Sequence, residues 1–306
     1  MQPLLIVNPA SAAGRTGRQF AAIAEAVRGV VGAFEARFTE AVGHAAELAR
    51  QAAGSGRALV VAVGGDGTAS EVIDGLQHAG YRREFGFIPR GSGGDLRRSL
   101  GIPADVAGAA RALRGGALRT IDLGHIELTT DGGTVVRHFA NVASCGLSAA
   151  VVDRVNRSGK VLGGRLAFKL ASIRSLVGWR DQRVRWRVDG GAWQEDAITA
   201  FAVCNARYFG GGMMVAPGAV LDDGLLDVTI WSGYRLADFA LQQRKIYDGR
   251  HVGLPGTRTL RARTVDLEPA GDEPVLLEVD GEQPGRLPAR FTVLPHALTL
   301  RGPGAR

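Results

Sequence analysis

The stretch LVVAVGGDGTASEVIDGL, residues 59–76, decides the fold of the first part of this 306-residue chain. It opens with a short valine-rich run, which is typical of a strand buried on both faces of a parallel sheet. Gly64, Gly65 and Gly67 follow, and they leave room for a ligand to approach the backbone. Thr68 and Glu71 match a capping box, which predicts that a helix begins there with its free N–H groups facing the turn. The stretch therefore predicts a strand, an anion-binding turn and a helix.

One residue of this turn does not suit a simple phosphate site. Asp66 would repel a phosphate unless a cation lies between the two, and a magnesium-bound nucleotide supplies such a cation. The residues alone leave a second interpretation open, which is an ordinary Asp-Gly turn that binds nothing.

Residues 1–123 repeat the alternation of strand and helix. Strands are predicted at residues 4–7, 34–38, 59–63 and 85–88, and helices at 16–29, 44–53, 70–79, 95–100 and 104–113. Short apolar strands joined through helices predict an α/β domain with a parallel, doubly wound sheet. The segments NPASAAG, GGDGT and PRGSGGD each follow a predicted strand. Because such sheets bind ligands at the carboxyl ends of their strands, these three segments are expected to form one site.

The pattern changes in residues 124–306. Two hairpins are predicted, one around TTDGG at residues 129–133 and one around DGG at residues 189–191. Further strands are expected at 225–231, 259–267, 275–279 and 291–294, with helices at 165–177 and 236–247. This part therefore predicts a second, mainly antiparallel β domain. The final strand could return to either domain.

Composition and charge restrict the class of protein. Hydrophobic residues make up 45% and charged residues 22%, which is typical of a soluble globular protein. No apolar run is long enough to span a membrane and no signal peptide is evident, so a cytoplasmic protein is expected. The net charge of +7 favours anionic partners. Membrane lipid is favoured over nucleic acid, because no nucleic-acid-binding motif is present.

Six segments in order carry a resemblance to a known family. They are IVNPASAAG, TEAVGHAAELA, GGDGTASEVIDGL, GFIPRGSGGDLRRSLGIP, DDGLLDV and VDGE. Together they resemble the diacylglycerol kinase catalytic-domain family, which includes bacterial lipid kinases and the sphingosine and ceramide kinases. The resemblance implies a phosphofructokinase- or NAD-kinase-like α/β domain and a C-terminal β-sandwich domain. It also implies that ATP and a lipid meet in the cleft between them.

The resemblance also implies roles for particular residues. The nucleotide-binding positions are Asn8, Pro9, Ser11, Thr39, Gly64, Gly65, Asp66, Gly67, Thr68, Glu71 and Ser92. Asp66 would act in catalysis within a Mg²⁺-linked network, with Asp95 at a related metal position. Val220, Asp223 and Leu225 match a family Mg²⁺ site, and Asp280 matches the general base that takes the proton of the lipid hydroxyl. From the residues alone, an Asp-Gly turn without a ligand is the alternative for Asp223 and for Asp280.

The chain departs from the family at two positions. Gly94 and Ser70 stand where family members commonly carry Asn, so recognition of the nucleotide base could be looser or arise elsewhere. The resulting hypothesis is an ATP-dependent kinase of a membrane lipid, most simply a diacylglycerol-like one. The alternatives are a sphingosine or ceramide kinase, an NAD-kinase-like enzyme, and a nucleotide or lipid binder without activity.

A basic segment suggests how the protein would reach its lipid. Residues 157–187 contain nine basic residues and one acidic residue, Asp181. Within it, the helix predicted at residues 165–177 has an apolar face beside basic side chains, as in helices that lie on anionic membranes. A helix packed on the β domain is the alternative. The expectation is a protein bound peripherally to the inner face of the membrane, and a homodimer is left open.

Overall fold

The structure, a computed structural model, describes residues 2–91, 93–114, 117–158 and 178–303. The chain divides into two compact units. Unit 1 contains Met1–Asp122 and His296–Arg306, and unit 2 contains Leu123–Pro295. The division lies one residue before the predicted boundary, and the final segment, whose place the sequence left open, belongs to unit 1.

The centre of unit 1 is a parallel sheet. Its strands are β1 (Leu4–Val7), β2 (Glu35–Phe38), β3 (Leu59–Gly64) and β4 (Glu84–Pro89). The order is β2-β1-β3-β4, all parallel, and Thr299 and Leu300 add a further parallel strand beside β4. Every residue of β1 and β3 is buried, as their continuous apolar sequences predict. The α/β class predicted for this part is confirmed.

Helices connect the strands of unit 1. They are α1 (Arg15–Arg18), α2 (Phe20–Val31), α3 (His44–Gly54), α4 (Asp66–His78), α5 (Asp95–Ser99) and α6 (Val106–Ala112). The single helix predicted at residues 16–29 was wrong, because Gln19 leaves helical geometry and separates α1 from α2. The helix start predicted at Thr68 was also wrong, since α4 begins at Asp66 with Gly65 as its N-cap.

Unit 2 is an antiparallel β-sandwich. Its strands are β5 (Ala117–Thr130, which begins in unit 1), β6 (Gly133–Phe139), β7 (Val142–Gly146), β8 (Gln182–Val188), β9 (Gln194–Ile198), β10 (Ala200–Cys204), β11 (Tyr208–Phe209), β12 (Met213–Met214), β13 (Leu226–Trp231), β14 (Thr257–Ala262), β15 (Thr264–Pro269), β16 (Leu276–Val279) and β17 (Glu282–Gly302, which ends in unit 1). One layer has the order β14-β13-β10-β7-β16, and the other contains β6, β5, β17, β15, β8 and β9. The two predicted hairpins are β5–β6 and β8–β9. The predicted β-sandwich is therefore confirmed.

The core of unit 2 lies between the two layers. Phe139 and Phe291 meet edge to face at 6.5 Å between ring centroids, and Trp186 and Phe201 do so at 5.9 Å. In the described part of unit 2, two helices, α7 (Leu147–Ser158) and α8 (Leu236–Tyr247), and a 3₁₀ turn at Arg250–Gly253 accompany the strands. The single strand predicted at residues 259–267 was wrong, since Arg263 separates β14 from β15.

Three arginines of the predicted basic segment lie on β8 and have acidic partners. The pairs are Arg183 with Glu195, Arg185 with Glu268 and Arg187 with Asp266. Their charges are thus compensated within unit 2, which reduces what this segment can offer an anionic membrane. The helix predicted at residues 165–177 lies outside the described residues. Within the described part of the chain, no helix is both long and apolar enough to cross a membrane.

Candidate active site

The GGDGT turn connects β3 directly to α4, and its polar side chains do not cap the helix. Thr68 Oγ1 accepts a hydrogen bond from Asn8 Nδ2 at 3.0 Å. Glu71 Oε2 accepts one from the backbone N–H of Ala45 in α3 at 3.1 Å. Because both groups have partners in other elements, the helix starts two residues earlier than the capping pattern predicts. Asp66 is therefore the first residue of α4, where the helix dipole favours a negative charge.

A second loop touches the turn at Asp66. A Cβ atom on Gly91 would lie 2.7 Å from the Cα atom of Gly65, so the close approach of the two backbones requires glycine at position 91. A Cβ atom on Gly93 would lie 2.9 Å from Asp66 Oδ2, and the backbone N–H of Asp95 donates to the same oxygen at 2.9 Å. The loops that follow β3 and β4 thus meet at one carboxylate, as the shared position at the strand ends predicts. Ser92, in the same loop, lies outside the described residues.

Burial controls the electrostatics of Asp66. Loss of water around the half-buried carboxyl raises its pKa, and the backbone N–H groups of Asp95 and Gly94 and the charge of Arg98 oppose this rise. A carboxylate whose charge is costly in the ligand-free protein gains from a nearby cation. Asp66 therefore fits the Mg²⁺ role that the resemblance implies.

Asp95 has a different environment from Asp66. Its carboxylate is buried and forms an ion pair with Arg98 Nη1 at 2.7 Å, and the same nitrogen donates to the carbonyl of Gly93 at 3.0 Å. The charge of Asp95 is thus compensated by Arg98, and this pair holds the loop that contacts Asp66. The geometry supports a positioning role for Asp95 more strongly than a metal-binding one.

The loop after β1 completes this end of the sheet. Asn8 Oδ1 accepts from the backbone N–H of Ala10 at 3.0 Å, while Ser11 Oγ donates to the carbonyl of Asn8 at 2.9 Å. Pro9 lies in the same turn, where its carbonyl accepts from the N–H of Gly17 at 3.1 Å. Through Asn8 and Thr68, this loop is bonded to the GGDGT turn. The backbone N–H of Thr39 donates to the carbonyl of Val7 at 2.8 Å, which places Thr39 at the same strand ends.

The second set of predicted metal ligands does not fit a divalent cation. Asp223 Oδ1 accepts from the backbone N–H of Leu225 at 3.1 Å, and its other oxygen pairs with the guanidinium of Arg261. Arg261 Nε also lies 3.5 Å from Asp227 Oδ2. A guanidinium thus takes the carboxylate that a cation between Val220, Asp223 and Leu225 would need.

This arrangement predicts that removing Arg261 exposes a cation site. Arg261→Gln leaves two neighbouring carboxylates without their counter-charge, so the free energy of unfolding should fall by about 1 kcal/mol for these partly exposed pairs. Millimolar Mg²⁺ should restore the loss in the variant and leave the parent unchanged. Urea unfolding with Mg²⁺ or with EDTA measures this, in an Asp66→Asn background that removes the effect of the other site.

Arg258→Gln is the matched control for that experiment. Arg258 lies on the same strand and pairs with Asp196, so its loss should be of similar size and should not respond to Mg²⁺. If Mg²⁺ stabilises the parent as much as it stabilises the Arg261→Gln variant, the loop binds the cation with Arg261 in place and the prediction is contradicted.

Asp280 lies in unit 2, in the turn between β16 and β17. Its backbone has a positive φ of 47°, and its carboxylate accepts three backbone N–H bonds from one segment. The donors are Ala140 to Oδ2 at 3.1 Å, Asn141 to Oδ1 at 3.1 Å and Val142 to Oδ1 at 3.0 Å. This side chain is therefore fixed in orientation.

Buried polar side chains support the Asp280 turn, and sequence reasoning missed them. Glu278 is 3% exposed, accepts the N–H of Gly281 at 2.8 Å and pairs with the hydroxyl of Ser144. Asn205 donates to the carbonyl of Ala140 at 2.9 Å. The only signal in the sequence is a polar residue inside or just after an apolar strand, as in VASC and AVCN.

The two units match family models over most of the chain. Residues 2–126 match the diacylglycerol kinase catalytic domain, and residues 141–302 match the YegS C-terminal NAD kinase beta sandwich-like domain. A diacylglycerol kinase of Mycobacterium tuberculosis is 32% identical over 260 residues, which are 85% of this chain and 81% of that protein. One from Bacillus subtilis is 32% identical over 257 residues, 84% and 81% of the two chains.

Solved structures agree on the fold. A diacylglycerol kinase structure from Bacillus anthracis has a TM-score of 0.72 at 21% identity and covers 99% of this chain and 97% of that one. A yeast NADH kinase structure has a TM-score of 0.51 at 12% identity, with coverage of 98% and 82%. Fold, site and relatives together define a lipid kinase. The chain belongs to the diacylglycerol kinase catalytic-domain family, and this kinase family implies ATP as the phosphoryl donor.

Gly67 offers a test of where the nucleotide binds. A Cβ atom at Gly67 would meet no atom within 4 Å, and the residue lies in the first turn of α4. Gly67→Ala should therefore leave the protein folded and stabilise the helix by up to about 1 kcal/mol. If ATP lies against this turn, the added methyl group should raise the KM for ATP at least tenfold.

Gly29→Ala provides the control for this test. Gly29 lies in α2 and also has nothing within 4 Å, so alanine there should give a similar gain in stability and an unchanged KM. Thermal melting and initial rates are the measurements. An unchanged KM in Gly67→Ala would move the nucleotide away from the GGDGT turn.

Proposed function

We propose that this lipid kinase transfers the γ-phosphate of Mg-ATP to the hydroxyl of a diacylglycerol-like membrane lipid. The observation that carries the proposal is Asp66, a half-buried carboxylate whose pKa is raised by burial and which two glycine-rich loops orient beside the open space at Gly67. The relatives in Mycobacterium tuberculosis and Bacillus subtilis bear the name diacylglycerol kinase, which supports the choice of acceptor.

The proposed reaction forms one bond and breaks one. The lipid hydroxyl oxygen attacks the γ-phosphorus, the bond to the β,γ-bridging oxygen breaks, and ADP leaves. Bound Mg²⁺ supplies charge stabilisation on the phosphates. Asp66 holds the negative charge that retains the cation, and Asp280 accepts the proton of the lipid hydroxyl. Because phosphoryl transfer has a loose transition state, positioning and charge are expected to contribute most of the rate.

We also propose that the protein works at the inner face of an anionic membrane, because its substrate lies there and its net charge is +7. Because the arginines of β8 have acidic partners, we expect other basic residues of the chain to contact the membrane. Sedimentation with vesicles that contain anionic lipid, at low and high salt, tests this part. Vesicle binding that is equally strong at low and high salt would argue against an electrostatic contact.

The substrate test uses the purified protein, labelled ATP and a panel of acceptors. Diacylglycerol, sphingosine and ceramide are presented in mixed micelles and NAD in solution, with Asp66→Asn as the negative control. We expect label in phosphatidic acid. Label in a sphingolipid phosphate would show that the acceptor is a sphingolipid, and label in NADP would show an NAD kinase. ATP binding without any labelled product would show a nucleotide-binding protein without kinase activity.

A further inference from the structure

Gly94 is one of the two positions where the chain departs from its family, and it has an unusual backbone. Its φ of 70° and ψ of 29° lie in the left-handed region. Gly and Asn are the residues that adopt this region most readily. An Asn would therefore fit the backbone of this position, so conformation does not explain why it is absent.

The space beside Gly94 is taken by Arg97. A Cβ atom on Gly94 would lie 3.0 Å from Arg97 Nε and 3.6 Å from Nη2. The Arg97 side chain thus lies beside Gly94, and a side chain at position 94 would be in tight contact with the Nε atom. The same loop, through the N–H of Asp95, holds the carboxylate of Asp66.

Charge distinguishes Arg97 from its neighbour. Arg98 forms an ion pair with Asp95 and donates a hydrogen bond to the carbonyl of Gly93. Arg97 is half-buried, and among the described residues no acidic side chain lies within ion-pair distance of it. A partly desolvated guanidinium without a counter-charge gains from an anion that binds beside it, and its planar fork suits two phosphate oxygens.

We propose that Arg97 binds the phosphates of the nucleotide. This inference deepens the proposed function and rests on ATP binding near Asp66. It assigns a binding role to a residue for which the resemblance implies none. Because Arg97 is a cation, the polyphosphate is favoured over the base as the group that it binds.

The test compares four proteins by calorimetric titration with ATP and by initial rates with lipid. They are the parent, Arg97→Gln, Gly94→Asn and the double variant. Arg97→Gln should weaken ATP binding and raise the KM for ATP at least tenfold with kcat changed less than threefold. Gly94→Asn alone should also weaken binding, because the new side chain displaces Arg97. If the two effects were independent, the fold-losses in ATP affinity of the single variants would multiply in the double variant. We expect the double variant to lose less affinity than this product.

Arg111→Gln is the matched control, because Arg111 is an exposed arginine on α6 in the same unit. It removes the same charge and should leave the KM for ATP unchanged. An Arg97→Gln variant within twofold of the parent, or one no different from Arg111→Gln, would overturn the inference. Calorimetry with ATP alone keeps this test separate from the proposed acceptor, since a parent that binds ATP but phosphorylates no lipid would contradict only the latter.

Discussion

Asp66→Asn should remove the kinase activity while it stabilises the ligand-free protein at neutral pH. The activity should fall by about 10³-fold or more, because the proposed cation loses the charge that retains it at the phosphates. The Asn oxygen can still accept the N–H of Asp95, so the contact between the two loops should survive. A loss of function with a gain in stability would set this residue apart from a structural carboxylate.

The direction of the stability change follows from the pKa. Burial raises the pKa of Asp66 in the folded protein above its value of about 3.9 in an unfolded chain. The stability that this group contributes is complete below that value, and it is lost as the pH rises through the folded-state pKa. At pH 7 the charged form therefore disfavours folding, and an uncharged Asn removes this cost. The difference in melting temperature should shrink as the pH falls towards 4.

The ligand supplies the second half of this test. ATP with Mg²⁺ should raise the melting temperature of the parent and have little effect on Asp66→Asn, since a ligand stabilises only the state that binds it. Asp105→Asn is a suitable control, because Asp105 caps α6 in the same unit and accepts the N–H of Gly108 at 2.7 Å. It should retain activity, and its stability should change little, because Asn caps a helix about as well as Asp. Near-parental activity in Asp66→Asn would remove the proposed mechanism.

The sequence predicted the parts of the fold that local pattern controls. Strands β1 and β3 are continuous apolar runs, and the structure buries each of their residues. The position of GGDGT between a strand and a helix was also predictable, because glycine and aspartate are rare inside buried strands. These features depend on the chain near each residue, so a single sequence contains them.

The wrong predictions of element boundaries arose where a residue distant in sequence forms a hydrogen bond that the local pattern does not predict. Thr68 and Glu71 match a capping box, yet Asn8 and Ala45 bind them, so α4 begins at Asp66. The division between β14 and β15 depends on Asp189, whose Oδ1 accepts the N–H groups of Arg263 and Thr264. Pairing across such separations is set by tertiary packing, which periodicity does not record.

Asp280→Asn should reduce both the rate and the stability of the protein, for different reasons. As the proposed proton acceptor, Asp280 should contribute about 10²–10⁴-fold to kcat. Its two oxygens accept three N–H bonds, from Ala140, Asn141 and Val142. An amide has one oxygen, so its NH₂ group must face at least one of these donors. The variant should therefore also lose about 1–3 kcal/mol of stability.

Because both effects are expected, kcat must be compared at equal folded fraction, which urea unfolding provides. Asp189→Asn is the matched control: Asp189 also has a positive φ, of 48°, and lies in a turn of unit 2. Its Oδ1 alone accepts both N–H bonds, so Asn can retain them and the rate should not change. A loss of less than tenfold, with chemistry shown to limit the rate, would make Asp280 an anchor for the segment 140–142 and assign the proton to solvent or to the phosphate.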